Sequence, residues 1–267
     1  MINDIFDIKK KNIVLTGSSG FLGTHFSHIL SSHGANVILI DVEKNKNKKL
    51  ELELTKKYNT TPKAFSTDIS DPKEMSQLVK NILKKFHTID VLINNAQFLP
   101  KTDRMRDASF EKYPFELWNK TISKNLNGVF LTSKEIGRIM IKQRHGIILN
   151  ISSIYGIQGP DQSIYGDSRL NSPAFYSVTK GGIVSLTRYL AALWSKKNIR
   201  VNTLTLGGVY NNKLHPKSFV KSYSRKTMIG RMAKINDYDG ALLFLISNAS
   251  SYMTGSNLII DGGWSAW

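Results

Sequence analysis

The chain has no cysteine, so it can form neither a disulfide nor a thiolate metal site, which fits a reducing compartment. It has no long apolar run: stretches such as Ala241–Ile246 fall far short of the roughly 20 residues that span a bilayer. The opening MINDIFDIKKKNIVLTG places acids ahead of lysines and lacks the apolar segment of a signal peptide. The expectation is a soluble, cytoplasmic protein. Acids are also few, 20 against 37 Lys and Arg, leaving a formal charge of +17. Such an excess suits nucleic acid, an anionic ligand or an acidic partner. The lysines are dispersed, however, many beside asparagines, as in KNKNKK (44–49). There is no zinc-finger spacing, RNA-binding aromatic signature or long basic tail. The expectation is therefore an anionic small molecule or an acidic partner, with neither nucleic acid nor membrane.

What is present is alternation. Short aliphatic runs at Ile13–Thr16, Val37–Asp41, Lys63–Ser66, Val91–Asn94, Ile147–Ile151, Arg200–Leu204 and Leu258–Ile260 read as strands. Helical stretches near 21–33, 47–58, 72–86, 115–143, 174–196 and 237–248 lie between them. Near-continuous apolar strands separated by helices predict an α/β fold: a doubly wound parallel sheet of about seven strands, covered on both faces. Nothing splits the chain, so residues 1–267 read as one domain. Two polar, turn-rich stretches, 156–173 and 207–227, interrupt the alternation after strand ends. In an open α/β sheet the ligand crevice lies there, so both are placed to form a substrate pocket or lid.

The first strand runs into TGSSGFLG, Thr16–Gly23, and then a helix. Gly17, Gly20 and Gly23 permit a tight turn and close backbone approach to a pyrophosphate, which the helix N-terminus favours. The second strand ends in Asp41, able to accept bonds from an adenosine ribose and to repel a 2′-phosphate. The reading is dinucleotide binding, NAD preferred, with Lys44 and Lys46 keeping NADP open. In AFYSVTKGG, Ala174–Gly182, Tyr176 and Lys180 stand one helical turn apart. A lysine on the same face favours the phenolate and lowers a tyrosine pKa toward a useful range for general acid catalysis.

With Asp68-Ile69, NNA (Asn94–Ala96), Asn125 in KNLNGVF, ISS (Ile151–Ser153), YSVTK (Tyr176–Lys180) and DGG (Asp261–Gly263) in this order, the sequence resembles the short-chain dehydrogenases/reductases along essentially its whole length. The resemblance implies that Tyr176 exchanges a proton with the oxygen at the reacting carbon. Lys180 would lower the tyrosine pKa and hold the nicotinamide ribose, and Ser153 would hydrogen-bond the substrate oxygen. Asn125 would hold a water linking Lys180 to solvent. Leu22 joins the glycine turn at the cofactor, Asp68 and Ile69 flank the adenine, and Asn95 lies along the cofactor. It also implies a homo-oligomer, a dimer or tetramer.

Several features depart from the family pattern. The glycines are spaced GxxGxxG, as in the longer, epimerase-type branch, yet the length and the terminal DGG fit the compact branch. Gln97 replaces the glycine of NNAG. Gly207-Gly208 replaces Pro-Gly, predicting a looser hinge whose Val209 backbone still meets the carboxamide. Between Ser153 and Tyr176 lie 22 residues, a long insertion. It resembles members of surface-sugar and flagellin-glycan synthesis, and Asp161, Gln162, Ser163, Tyr165, Asp167, Ser168, Arg169 and Asn171 offer bonds to a polyol. Arg169 and nearby lysines could meet a phosphate; a subunit contact is the other reading. His25, His28 and His33 read as packing or surface residues, so no metal is expected. Trp264 and Trp267 are expected to bury against a neighbouring subunit.

The function so implied is NAD(P)-dependent interconversion of a secondary alcohol and a ketone on a sugar or sugar derivative, in surface-glycan synthesis. The alternatives are a 3-oxoacyl-carrier-protein reductase, using the basic surface to dock its acidic carrier, and a non-catalytic dinucleotide-binding regulator.

Overall fold

Every strand of the sheet pairs in parallel, in the order β3-β2-β1-β4-β5-β6-β7. The computed structural model describes residues 4–100, 109–168 and 171–267. The strands are β1 (Asn12–Thr16), β2 (Asn36–Asp41), β3 (Lys63–Ser66), β4 (Val91–Asn94), β5 (Gly146–Ser153), β6 (Ile199–Leu206) and β7 (Asn257–Ile260). The helices are α1 (Phe21–Ser32), α2 (Lys44–Lys57), α3 (Pro72–Phe86), α4 (Phe115–Ile122), α5 (Gly128–Gln143), α6 (Ala174–Leu193), α7 (Lys217–Arg225) and α8 (Asp239–Ile246). The order reverses between β1 and β4, which opens a crevice at their carboxyl ends.

Strand alternation divides the core. Ile13, Leu15, Val37 and Leu39 point to one face, against α1, α2 and α8. Val14, Ile38 and Ile40 point to the other, against α3, α5 and α6. Helix α3 shows how the sequence specifies such a layer. The Asp71 carboxylate accepts from the amides of Lys73 (2.7 Å) and Glu74 (3.0 Å), and Pro72 occupies the first turn. Its buried stripe is Met75, Leu78, Val79 and Ile82, each worth about 1.5–3 kcal/mol when removed from water. A third cluster, Ile154, Tyr155, Ile164, Phe219, Tyr223, Met232 and Trp264, comes from segments that follow β5, β6 and β7.

Three expectations change. The stretch 115–143 is not one helix: a π turn at Ser123–Asn127 separates α4 from α5. The stretch 207–227 contains α7, whose buried Phe219 and Tyr223 stand one turn apart in a polar sequence that masks the period. Trp264 does not wait for a subunit; it is buried in its own chain, stacked on Tyr223 at 4.4 Å. Trp267 is exposed, its indole donating to the Lys226 carbonyl.

Candidate active site

The glycine turn joins β1 to α1 in a form that side chains would spoil. Gly17 has φ +65°, and a Cβ there would lie 2.7 Å from the Ala96 Cα. At Gly23 a Cβ would lie 2.0 Å from the Gly17 carbonyl oxygen, so helix and turn are in backbone contact. Gly20 caps α1 with no side-chain bond, and first-turn amides have no partners within a helix. This backbone cradle fits a pyrophosphate. Leu22 lines the cavity beyond it.

Asp41 sits where expected, at the end of β2. Its carboxylate accepts from the amides of Ser19 (2.9 Å) and Glu43 (3.0 Å), tying the acid to the glycine turn. Lys46 pairs with Glu43 at 3.4 Å, and both Lys44 and Lys46 are exposed. Asn95 donates to the carbonyls of Thr16 (3.0 Å) and Gly17 (3.3 Å) and lines the cavity. The Asp68 carboxylate is less free. Burial opposes its ionisation, but bonds from Lys124 and Ser70 outweigh this and hold its pKa below the usual range. Ile69 is buried, and a Cβ on Gly128 would meet its side chain at 3.0 Å.

Tyr176 and Lys180 share a face of α6, with the ammonium 5.8 Å from the phenol ring centroid. Lys180 is buried, donates to the Ile151 carbonyl at 3.1 Å, and is driven down to about 8 by desolvation. The tyrosine does not follow the expectation. Burial pushes the Tyr176 phenol up, a hydrogen bond with Ser153 works against this, and Tyr165 adds to the rise. Lysine-driven lowering is therefore not the resting condition of this pair: Lys180 titrates low and is spent on a carbonyl.

Ser153 ends β5, lines the same cavity as Tyr176, and accepts from the Tyr155 amide at 3.3 Å. Its neighbour Ser152 points away, donating to the Lys180 carbonyl at 3.0 Å. Asn125 lies in the π turn, a feature frequent at functional sites. Its side chain is tied to the backbone of Phe98. It accepts from the Phe98 amide (2.6 Å) and donates to the Phe98 carbonyl (3.0 Å), clamping the segment after β4.

These groups face a cavity of about 400 Å³. Its wall combines Asn95, Gln97, Ser153, Tyr176 and Lys180 with Tyr113, Tyr155, Tyr165, Phe175, Leu214, His215, Phe219, Tyr223 and Met232. The Gly207-Gly208 hinge is tight rather than loose. Tyr238 donates to the Gly207 carbonyl (3.1 Å), the Gly208 amide donates to the Tyr223 hydroxyl, and a Cβ on Gly208 would lie 2.6 Å from the Tyr223 ring. Val209 lines the cavity and bridges to Ala233.

The inserted segment contributes less polarity than its sequence promises. Asp161 pairs with Lys226 at 2.9 Å, Ser163 donates to Asp161, and Gln162 donates to the Ser172 carbonyl. Among the polar residues expected to meet a polyol, Tyr165 and Asn171 line the cavity. Arg169 lies outside the described residues, as do the side chains of Asp167 and Ser168. The histidines of α1 pair elsewhere: His25 with Asp239 (2.7 Å) and His28 with Glu53 (3.2 Å). Tyr113, His215 and the aromatic wall were not foreseen, because they carry no spacing that marks them and meet only in three dimensions.

A family model described as Enoyl-(Acyl carrier protein) reductase matches residues 18–265. The chain is 30% identical to a sorbose reductase of Candida albicans, over 98% of this chain and 89% of that protein. It is 32% identical to a 3-oxoacyl-[acyl-carrier-protein] reductase of Thermotoga maritima, over 96% and 98%. A crystal structure of a short chain dehydrogenase from Leptospira borgpetersenii with bound NAD+ superposes with TM-score 0.86 at 33% identity, covering 99% of this chain and 97% of that one. The fold agrees with these matches: the chain belongs to the short-chain dehydrogenase/reductase family, and is an NAD(P)-dependent oxidoreductase.

Proposed function

We propose that the chain interconverts a secondary alcohol and a ketone on a sugar or sugar derivative, with NAD preferred over NADP. The observation that carries this reading is Tyr176, one turn from buried Lys180 and sharing with it and Ser153 the wall of a cavity beyond the dinucleotide cradle. The bound nicotinamide supplies or accepts the hydride. Tyr176 gives its proton to the carbonyl oxygen in reduction and recovers it in oxidation, while the Ser153 hydroxyl donates to the same oxygen. Lys180, an ammonium below its lowered pKa of about 8, favours the phenolate that this transfer leaves. Asn125 acts through Phe98, as a positioning residue. Asp41 supports NAD, since its carboxylate would face a 2′-phosphate with like charge.

Aromatic rings at Tyr165 and Phe219 offer a face for the C–H side of a sugar ring, and the sorbose reductase shows that a relative takes a ketose by name. A role in surface-glycan synthesis rests on sequence resemblance alone. One observation favours the carrier-protein reading: residues 207–234 contain Lys213, Lys217, Lys221, Arg225, Lys226, Arg231 and Lys234 and no acid. The exposed members of that set border the cavity-lining α7 and suit an acidic partner. Exposed Phe115, Phe130, Tyr189 and Leu193 on α4–α6 support assembly with further copies of the chain.

The test is NADH and NADPH oxidation with keto-sugars, sugar phosphates, sugar nucleotides and a 3-oxoacyl thioester. Tyr176→Phe is expected to lower turnover about 10²–10⁴-fold and to leave NADH affinity intact. Turnover of the thioester alone would transfer the chain to the carrier-protein reading. Tight NADH binding with silence across the panel would favour a regulator.

A further inference from the structure

Residues on the cavity wall carry polar atoms with no hydrogen-bond partner among the described residues. The Tyr113 hydroxyl and the Asn171 side-chain oxygen are both buried and both without a hydrogen-bond partner, yet both residues line the cavity. They arrive from unrelated segments: Tyr113 from the stretch between β4 and α4, Asn171 from the insertion ahead of α6. Phe175, in the first turn of α6 just after Asn171, also lines the cavity and has its ring 6.2 Å from that of Tyr113. An unsatisfied buried polar group costs about 1–3 kcal/mol, and with the unpaired Ser172 hydroxyl on the same wall there are three, which demand a reason. Burial alone pushes the Tyr113 phenol up, so it remains a neutral donor near pH 7.

We propose that Tyr113 and Asn171 form a specificity subsite for a neutral substituent that both donates and accepts, a hydroxyl or a secondary amide, carried on a ring beside the reacting carbonyl. This rests on the carbonyl chemistry proposed above and names the part of the substrate that is read. The Tyr113 hydroxyl donates to the substituent oxygen, and the Asn171 carboxamide accepts its O–H or N–H. A substrate lacking the group leaves both atoms unpaired in a dry wall. Discrimination by such a site runs high, because the penalty of the unpaired atoms falls on the wrong substrate. A plain acyl chain offers nothing to either atom.

The experiment compares cyclohexanone, 4-hydroxycyclohexanone and 4-acetamidocyclohexanone as substrates of wild type, Tyr113→Phe and Asn171→Leu. Wild type is expected to prefer one substituted ketone at least tenfold in kcat/KM, and which one it prefers distinguishes hydroxyl from amide. Either variant should reduce that preference to within about twofold, by raising KM for the substituted ketone with kcat little changed. In the ligand-free protein, Tyr113→Phe should raise Tm, since it removes an unpaired hydroxyl without opening a cavity. A wild type indifferent to the substituents, a preference that survives both variants, or a fall in Tm for Tyr113→Phe would overturn the subsite. If wild type reduces none of these ketones and only a 3-oxoacyl thioester, the sugar reading fails instead. The Tm of Tyr113→Phe then still decides whether the hydroxyl is unpaired in the protein.

Discussion

The dinucleotide side and the substrate side of this molecule are built by different means. On the first, backbone meets backbone: Gly23 packs on the Gly17 carbonyl, Gly17 on Ala96, and Asp41 holds the Ser19 amide. On the second, side chains from three separate segments make the wall, with Tyr165 stacked on Phe219 at 5.3 Å and Tyr223 on Trp264 at 4.4 Å. A backbone cradle tolerates one solution, because a single methyl group has nowhere to go. An aromatic wall tolerates many, because rings of similar volume can repack. One fold can therefore keep a fixed cofactor site while its substrate changes.

Two substitutions would break this contrast if it is wrong. Gly23→Ala forces a shift of the turn itself, and NADH affinity should fall about a thousandfold, some 4 kcal/mol. Phe219→Ala removes the ring between Tyr165, His215 and Tyr223, so turnover of any carbonyl substrate should fall steeply while NADH affinity stays within a few-fold. Fluorescence titration of NADH with both proteins reads the first effect and its absence. A cofactor loss in Phe219→Ala, or none in Gly23→Ala, would erase the distinction.

The same contrast explains what the sequence made legible. Glycine spacing, aliphatic runs and the Tyr–Lys turn are local signals with a fixed geometry, and they located β1, the cradle, α3 and the Tyr176–Lys180 face directly. Asn125 was found as a residue but not as a clamp, because its partner Phe98 is 27 positions away. The insertion looked like a polyol site because its polar residues cannot be seen pairing with Lys226 and Ser172 from sequence. Gly207-Gly208 looked loose for a similar reason: a glycine pair reads as freedom until Tyr223 and Tyr238 are placed against it. Conversely, Tyr113 and His215 carry no local mark at all.

The next effect concerns Lys180, at the seam between the two halves. Desolvation lowers it from 10.5 to about 8. The unfolded chain keeps that proton up to its ordinary value, so between about pH 8 and 10.5 the unfolded state binds more protons and rising pH favours the folded one. Below that window the penalty is fully present, and above it none remains. Lys180→Met should thus be more stable than wild type at pH 7, on the order of 3 kcal/mol before lost contacts are counted. The gap should close as pH climbs through the window. Urea unfolding of both ligand-free proteins at pH 7, 9 and 10.5 measures it, and a gap that is flat in pH would mean that Lys180 is charged without penalty.

The smallest effect tests how the insertion is held to the wall. Asp161 accepts from the amide and hydroxyl of Ser163 and pairs with Lys226 at 2.9 Å, at the end of α7. Chiefly through Ser163 and then Lys226, its carboxyl is lowered to about 2. A carboxylate lowered by folding stabilises above its unfolded value and loses that contribution as pH falls through its folded one. The pair is solvent-accessible, so Asp161→Asn should cost under about 1 kcal/mol at pH 7, and the difference should vanish by about pH 2. NADH affinity should not move, because nothing in the cradle touches Asp161. KM for a carbonyl substrate should rise a few-fold, since the bond joins the insertion to α7 and both line the cavity. An unchanged KM would mean that the aromatic stack of Tyr165 on Phe219 holds the insertion without help from the ion pair.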